Sequence, residues 1–125
     1  MIEVVAAMIR DGGRVLLCRR PMDKAQGGKW EFPGGKIEPG ETGAEALARE
    51  CREELDVALD VGDVLADVMQ DYPDRRVHLT LYAAAIAEGE PRRLEHSDMR
   101  WVDADRIGEY DLCPADARLV EMLKA

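Results

Sequence analysis

The stretch from Gly35 to Val57, GKIEPGETGAEALARECREELDV, constrains this chain more than any other. Thr42 and Glu45 form the T-x-x-E pattern of a capping box, which places a helix start at Thr42. Ala44, Leu47, Ala48, Cys51 and Leu55 then recur at helical spacing and give one apolar face for docking. Glu50, Glu53 and Glu54 stand at i, i+3 and i+4, so they share a flank of that helix. Like charges so placed repel by roughly a few tenths of a kcal/mol per pair in water. A solvated acidic face with Arg49 and Arg52 as partners is the ordinary explanation of such a cluster. The same geometry also makes a compact patch of hard oxygen ligands for Mg²⁺ or Mn²⁺. The surroundings favour the second reading. A Gly34-Gly35 turn before the helix lets backbone approach a ligand closely, and a further acid, Glu41, precedes the cap.

Around this helix the chain reads as strands. Glu3 to Arg10 and Arg14 to Arg20 are apolar runs joined by Asp11-Gly12-Gly13, a hairpin signal. Pro21 to Gly28 reads as a loop, and Lys29 to Phe32 as a short extended piece ending at Pro33-Gly34-Gly35. Asp63 to Asp71 and Arg75 to Ala87 are strand-like and meet at Tyr72-Pro73-Asp74, and Met99 to Val102 is a short strand. Pro114 to Lys124 reads as a last helix with Leu119, Val120 and Leu123 inward. Strands and helices do not alternate strictly. The expected fold is therefore α/β (α+β), a mixed β-sheet sandwiched between α-helices. At 125 residues, one domain over 1–125 is expected.

Charge narrows the function. A net charge of −9 with no basic run disfavours polymeric nucleic acid. A small polyphosphate can still bind if metal ions screen the carboxylates. Cys18, Cys51 and Cys113 form no C-x-x-C pair and read as small apolar residues of a reducing compartment. The first ten residues lack a basic segment and are too short to span a bilayer, so a cytoplasmic protein with no membrane partner is expected.

The helix segment resembles the Nudix box, G-x5-E-x7-R-E-U-x-E-E-x-G-U, where U is aliphatic. Gly35, Glu41, Arg49, Glu50, Cys51, Glu53, Glu54 and Val57 all fall in register. Asp56 stands where the box has its last glycine, a helix C-terminal position at which Asp tolerates the left-handed conformation better than most residues. Ile2-Glu3-Val4-Val5-Ala6-Ala7, Trp30-Glu31-Phe32, Gly34-Gly35-Lys36 and Leu112-Cys113-Pro114-Ala115-Asp116 extend the resemblance to the MutT-like branch of nucleoside-triphosphate pyrophosphohydrolases. Within that branch the chain looks most like bacterial CTP pyrophosphohydrolases and enzymes of oxidised nucleotides.

The resemblance implies roles. Glu50, Glu53, Glu54 and the Gly35 carbonyl would ligate Mg²⁺, with Mn²⁺ as a substitute. Arg49 would orient the carboxylates, with Glu41 supporting it. Glu95 would contact metal or assist the attacking water, its plain alternative being an ordinary loop charge. Arg20, Phe32, Arg75 and Asp116 match positions around the nucleoside. Asp116 also suits a simple helix N-cap, and Phe32 suits core packing. An ionised Asp116 would accept from N4 of cytosine or from a purine N–H.

His78 reads as a strand-face residue, His96 as an exposed loop histidine with the tuning of its neighbour Glu95 as the alternative, and Trp30 and Trp101 as packing or pocket-rim residues. The implied partner is a small nucleotide, and the chain is expected as a monomer or homodimer. The implied reaction takes a (deoxy)nucleoside triphosphate, CTP or dCTP or a methylated or oxidised one such as 8-oxo-dGTP, to monophosphate and pyrophosphate. Two alternatives stand beside it: a Nudix hydrolase of ADP-ribose or dinucleoside polyphosphates, and a Nudix domain that senses nucleotides without cutting them. Sensing modules usually lose box carboxylates, and all are present here.

Overall fold

A computed structural model describes residues 1–124 of the chain. Seven strands and two α-helices follow in the order β1 (Ile2–Asp11), β2 (Arg14–Arg19), β3 (Trp30–Glu31), β4 (Gly34–Lys36), α1 (Gly43–Leu55), β5 (Ala58–Tyr72), β6 (Arg75–Glu88), β7 (Asp98–Asp103) and α2 (Pro114–Lys124). A 3₁₀ helix, Ala104–Glu109, precedes α2 and was not expected from the sequence.

β1 is the hub. It lies parallel to β6, with Ile2 opposite Val77 through to Ile9 opposite Ala84. Its other edge pairs antiparallel with β4 at Val4–Ala6 and with β2 at Arg10–Asp11. β5 is antiparallel to β6, while β3 and β7 flank β2. One parallel pair among antiparallel ones makes the sheet mixed, as expected.

Period-two alternation sends the apolar residues in the middle of β1 and β2 to both faces of the sheet. Val5, Ala7 and Ile9 of β1 and Leu16 and Cys18 of β2 pack with Ala46, Leu47, Cys51 and Leu55 of α1. Ala6, Met8, Val15 and Leu17 point the other way and pack with Ala115, Leu119 and Val120 of α2. Both faces are covered, so neither can be polar.

Several local expectations are corrected. Ala44 is exposed and Ala46 buried, so the docked face of α1 sits slightly off the stripe read from spacing. Leu123 is 38% exposed rather than inward. The Gly34-Gly35 turn is a short strand, β4, and β5 begins at Ala58 rather than Asp63. The capping box at Thr42 is present in full, with Glu45 N–H on Thr42 Oγ1 and Thr42 N–H on the Glu45 carboxylate. Asp56 ends α1 at φ 57° and ψ 43°, its N–H donating to the Arg52 carbonyl. Among the described residues, no helix is long and apolar enough to cross a membrane.

Candidate active site

A cavity of about 730 Å³ opens at the end of the sheet where β1 and β6 begin. Ile2, Val4, Val77 and Leu79 form its apolar wall. The loop after β2 contributes Arg20, the β5–β6 turn Tyr72 and Arg75, and the start of α2 Cys113 and Asp116. Glu31, Phe32, Gly34, Gly35, Glu54, Glu95 and His96 complete the lining. A pocket of this size holds a small ligand.

Glu54 is the acid at its floor. It is 7% exposed, and its Oε1 is buried without a hydrogen-bond partner. Burial first, then the charges of Glu50, Glu31 and Glu95, push its pKa up to about 9. Glu50 is half-buried, and its carboxyl lies against the Cα of Gly35, where a Cβ would collide with it. Burial likewise raises the Glu50 pKa against the opposing pull of Arg49. Glu53 points outward, its side chain 53% exposed.

Arg49 organises the flank. Its Nε and Nη2 grip the two oxygens of Glu41 at 2.8 and 3.0 Å, a bidentate pair. Nη1 reaches Glu50 at 3.0 Å and Glu53 at 3.4 Å, and Nη2 also donates to the Lys36 carbonyl at 3.0 Å. Glu41 in turn accepts from the Glu38 N–H. These bonds tie α1 to β4 and hold the carboxylates on one flank.

Among the described residues no three His, Cys, Asp or Glu side chains already enclose a point that a metal ion would occupy. The donor set nevertheless fits a hard divalent cation. An orphaned carboxylate oxygen on Glu54 faces three further acids, and a cation is what relieves such a buried like-charge cluster.

Arg20, Phe32, Arg75 and Asp116 line the same cavity. Asp116 is buried and its Oδ1 accepts from the Phe32 N–H at 3.0 Å. Burial pushes its pKa up to about 7. α2 begins at Pro114, so Asp116 is its third residue and not its N-cap. Phe32 is 3% exposed and belongs to the core while touching the cavity. Arg20 donates to Glu31 at 3.1 Å and to the Ala25 carbonyl at 2.7 Å. Arg75 stacks over the Tyr72 ring, 5.6 Å from its centroid. Glu95 shares the cavity lining with Glu54.

Sequence reasoning gave no role to Glu31 or Tyr72, which line this cavity, and misplaced His96, which is 8% exposed. Its loop is held down by Leu94 N–H on the Glu54 carbonyl and Ser97 N–H on the Arg19 carbonyl. The signal available was the adjacency of His96 to Glu95. His78 does sit on a strand face, its ring nitrogens 2.7 Å from Glu3 and from Asp67. Trp30 is core, whereas Trp101 is partly buried away from the main cavity. All three cysteines are free and buried.

Comparison with known proteins agrees with this fold. The family model described as the NUDIX domain matches residues 1–123. The CTP pyrophosphohydrolase of Escherichia coli K12 is 40% identical over 125 residues, 100% of this chain and 93% of that protein. The 8-oxo-dGTP diphosphatase of the same organism is 30% identical over 124 residues, covering 98% of this chain and 96% of that protein. The solution structure of the E. coli ORF135 protein superposes with a TM-score of 0.84 at 40% identity, covering 100% of this chain and 91% of that one. The crystal structure of a MutT protein from Methanosarcina mazei Go1 gives 0.87 at 28%, with 98% and 92% covered. The chain belongs to the NUDIX family. It is a Nudix hydrolase of the pyrophosphohydrolase class.

Proposed function

We propose that the protein hydrolyses nucleoside triphosphates to monophosphate and pyrophosphate, with Mg²⁺ as its cation. Cytidine nucleotides or modified deoxynucleotides, such as 8-oxo-dGTP, are the substrates. The observation that carries the reading is the buried, unpartnered Glu54 oxygen facing Glu50, Glu31 and Glu95 at the floor of a nucleotide-sized cavity. The names of the relatives support the substrate range.

Glu50, Glu53 and Glu54, with the Gly35 carbonyl, would hold the cation, which when bound neutralises phosphate charge and makes water a better nucleophile. Arg49 fixes the rotamers of Glu41, Glu50 and Glu53 so that little reorganisation is needed when phosphate arrives. Glu95, on the loop facing Glu54, would take the proton from the attacking water. The apolar wall of Ile2, Val4, Val77 and Leu79 excludes solvent from the nucleoside, while Arg20, Phe32, Arg75 and Asp116 bind it. An ionised Asp116 carboxylate accepts from an exocyclic amine or ring N–H of the base. Three buried free cysteines suit a reducing cytoplasm.

The test is a product assay on the purified protein with Mg²⁺ and CTP, dCTP, 5-methyl-dCTP, 8-oxo-dGTP and ADP-ribose. Monophosphate and pyrophosphate are expected from at least one triphosphate. Cleavage of ADP-ribose alone would replace the substrate class, and no product from any compound would make the protein a nucleotide sensor.

A further inference from the structure

His96 has no part in the reading above, yet its side chain is only 5% exposed and lies between two acids. Its backbone is pinned on both sides, at Leu94 to the Glu54 carbonyl (3.2 Å) and at Ser97 to the Arg19 carbonyl (2.9 Å). The ring is thereby delivered to one place. Its Nε2 is 3.1 Å from Glu31 Oε2 and 4.0 Å from Glu54 Oε1. A carboxylate oxygen accepts, so Nε2 carries the hydrogen, and at these distances it donates to Glu31 only. The other Glu31 oxygen takes Arg20 Nη1 at 3.1 Å. Both oxygens of Glu31 are therefore committed, while Glu54 Oε1 beside them has no partner. Two acids of one cavity floor are sorted by a single ring.

We propose that His96 is a positioning residue that keeps Glu31 out of the metal site. Its donated hydrogen bond holds Glu31 on Arg20 at the nucleoside end and leaves Glu54 alone to present a free oxygen to the cation. The proposal rests on the assignment of Glu54 as a metal ligand. Without the His96 donor, a Glu31 oxygen is released next to Glu54 and becomes a surplus ligand. The ion then binds more tightly but off its productive position.

The experiment is a Mn²⁺ titration of substrate-free protein, read by calorimetry or the loss of free-ion EPR signal, with steady-state kinetics alongside. His96→Leu is expected to tighten Mn²⁺ about fivefold or more while lowering kcat about 10- to 100-fold, the usual range for residues that orient a metal's ligands. His96→Gln, which keeps a donor, should stay within about threefold of the parent protein in both. Adding Glu31→Gln to His96→Leu should return Mn²⁺ affinity to the parent value and recover most of kcat. A ring that merely fills space would weaken Mn²⁺ binding when removed, and Glu31→Gln would not repair it; either result overturns the proposal. If His96→Leu does not fold, Glu31→Gln alone decides. Unchanged Mn²⁺ affinity with a raised KM supports the sorting, and a several-fold loss of affinity makes Glu31 itself a ligand and overturns it. Glu54→Gln is titrated in parallel. If it binds Mn²⁺ like the parent protein, the metal-site reading fails and takes this proposal with it. If it binds weakly while His96→Leu shows no tightening, only the role of His96 falls.

Discussion

The carboxyl group of Glu50 rests directly on the Cα of Gly35, in space that any other residue would fill with its Cβ. The contact sets how closely the acidic flank of α1 approaches β4. Gly35→Ala should therefore push Glu50 away without breaking the strand, because β4 pairs with β1 through backbone alone. Turnover should fall about 100-fold, with a stability cost of about 1–3 kcal/mol from overpacking. Kinetics and a denaturant titration check this, and an Ala variant of parental activity would show that the approach has no catalytic use.

Arg49 grips Glu41 with two parallel bonds and has a third nitrogen for Glu50 and Glu53. A lysine keeps the charge but not the fork. Arg49→Lys should lower kcat about 10- to 100-fold and weaken Mn²⁺ binding by a similar factor while the melting temperature moves little. Retained kcat in that variant would reduce Arg49 to a charge-balancing role.

Glu53 and Glu54 differ in burial although both lie in the acidic cluster. Glu53→Gln and Glu54→Gln should each reduce turnover by about two orders of magnitude or more. Their stability effects should diverge in a chelator at pH 8. Glu54 is held near a pKa of about 9 by burial, so replacing it with a neutral amide should raise the melting temperature. Glu53 is half exposed, and its replacement should not. Equal melting shifts would mean that Glu54 is not the buried acid of the site.

Asp116 makes stability depend on pH. Its folded pKa of about 7 lies above the unfolded value of 3.8, so between those values the folded state binds more protons. The Asp116 contribution to stability should therefore fall as pH rises from about 4 to about 7, by up to a few kcal/mol, while that of Glu54 goes on falling to about pH 9. Asp116→Asn keeps an oxygen for the Phe32 N–H and should remove that part of the slope, as urea unfolding at several pH values would reveal. Asp116→Ala should reorder the preferred bases more than it lowers the turnover of the best one; an unaltered ranking would leave Asp116 a purely structural group.

Asp56 takes the left-handed conformation that closes α1. Asp56→Gly should stabilise the protein by up to about 1 kcal/mol, since its pairs with Arg52 and Arg92 at 3.6 Å are exposed. A lower melting temperature would show that those pairs matter more than the backbone.

Features set by near neighbours were legible in the sequence: the capping box of Thr42 and Glu45, the left-handed Asp56, the acidic flank, and the β1–β2 hairpin at Gly12. Those that depend on distant chain were not. Gly34 and Gly35 read as a turn because glycine favours one, yet here they allow backbone and side chain to come close within a strand. The polar run around His96 reads as exposed loop, and only its anchorage to α1 and β2 buries the ring. Ala44 and Ala46 are too alike for spacing to tell which one docks. Glu31 was hidden because in a two-residue strand no alternation can be counted.

The parallel pairing of β1 with β6 has a consequence for biosynthesis. Glu3 meets His78 across 75 positions of chain, so the first strand leaves the ribosome with no mate on that edge until most of the polypeptide has been translated. Contacts so distant in sequence slow folding, because the intervening loop must close before they form. The nascent segment Val4–Ile9, apolar on both sides, is thus the stretch most in need of chaperone shelter, and the apolar wall of the cavity is among the last parts of the molecule to be built.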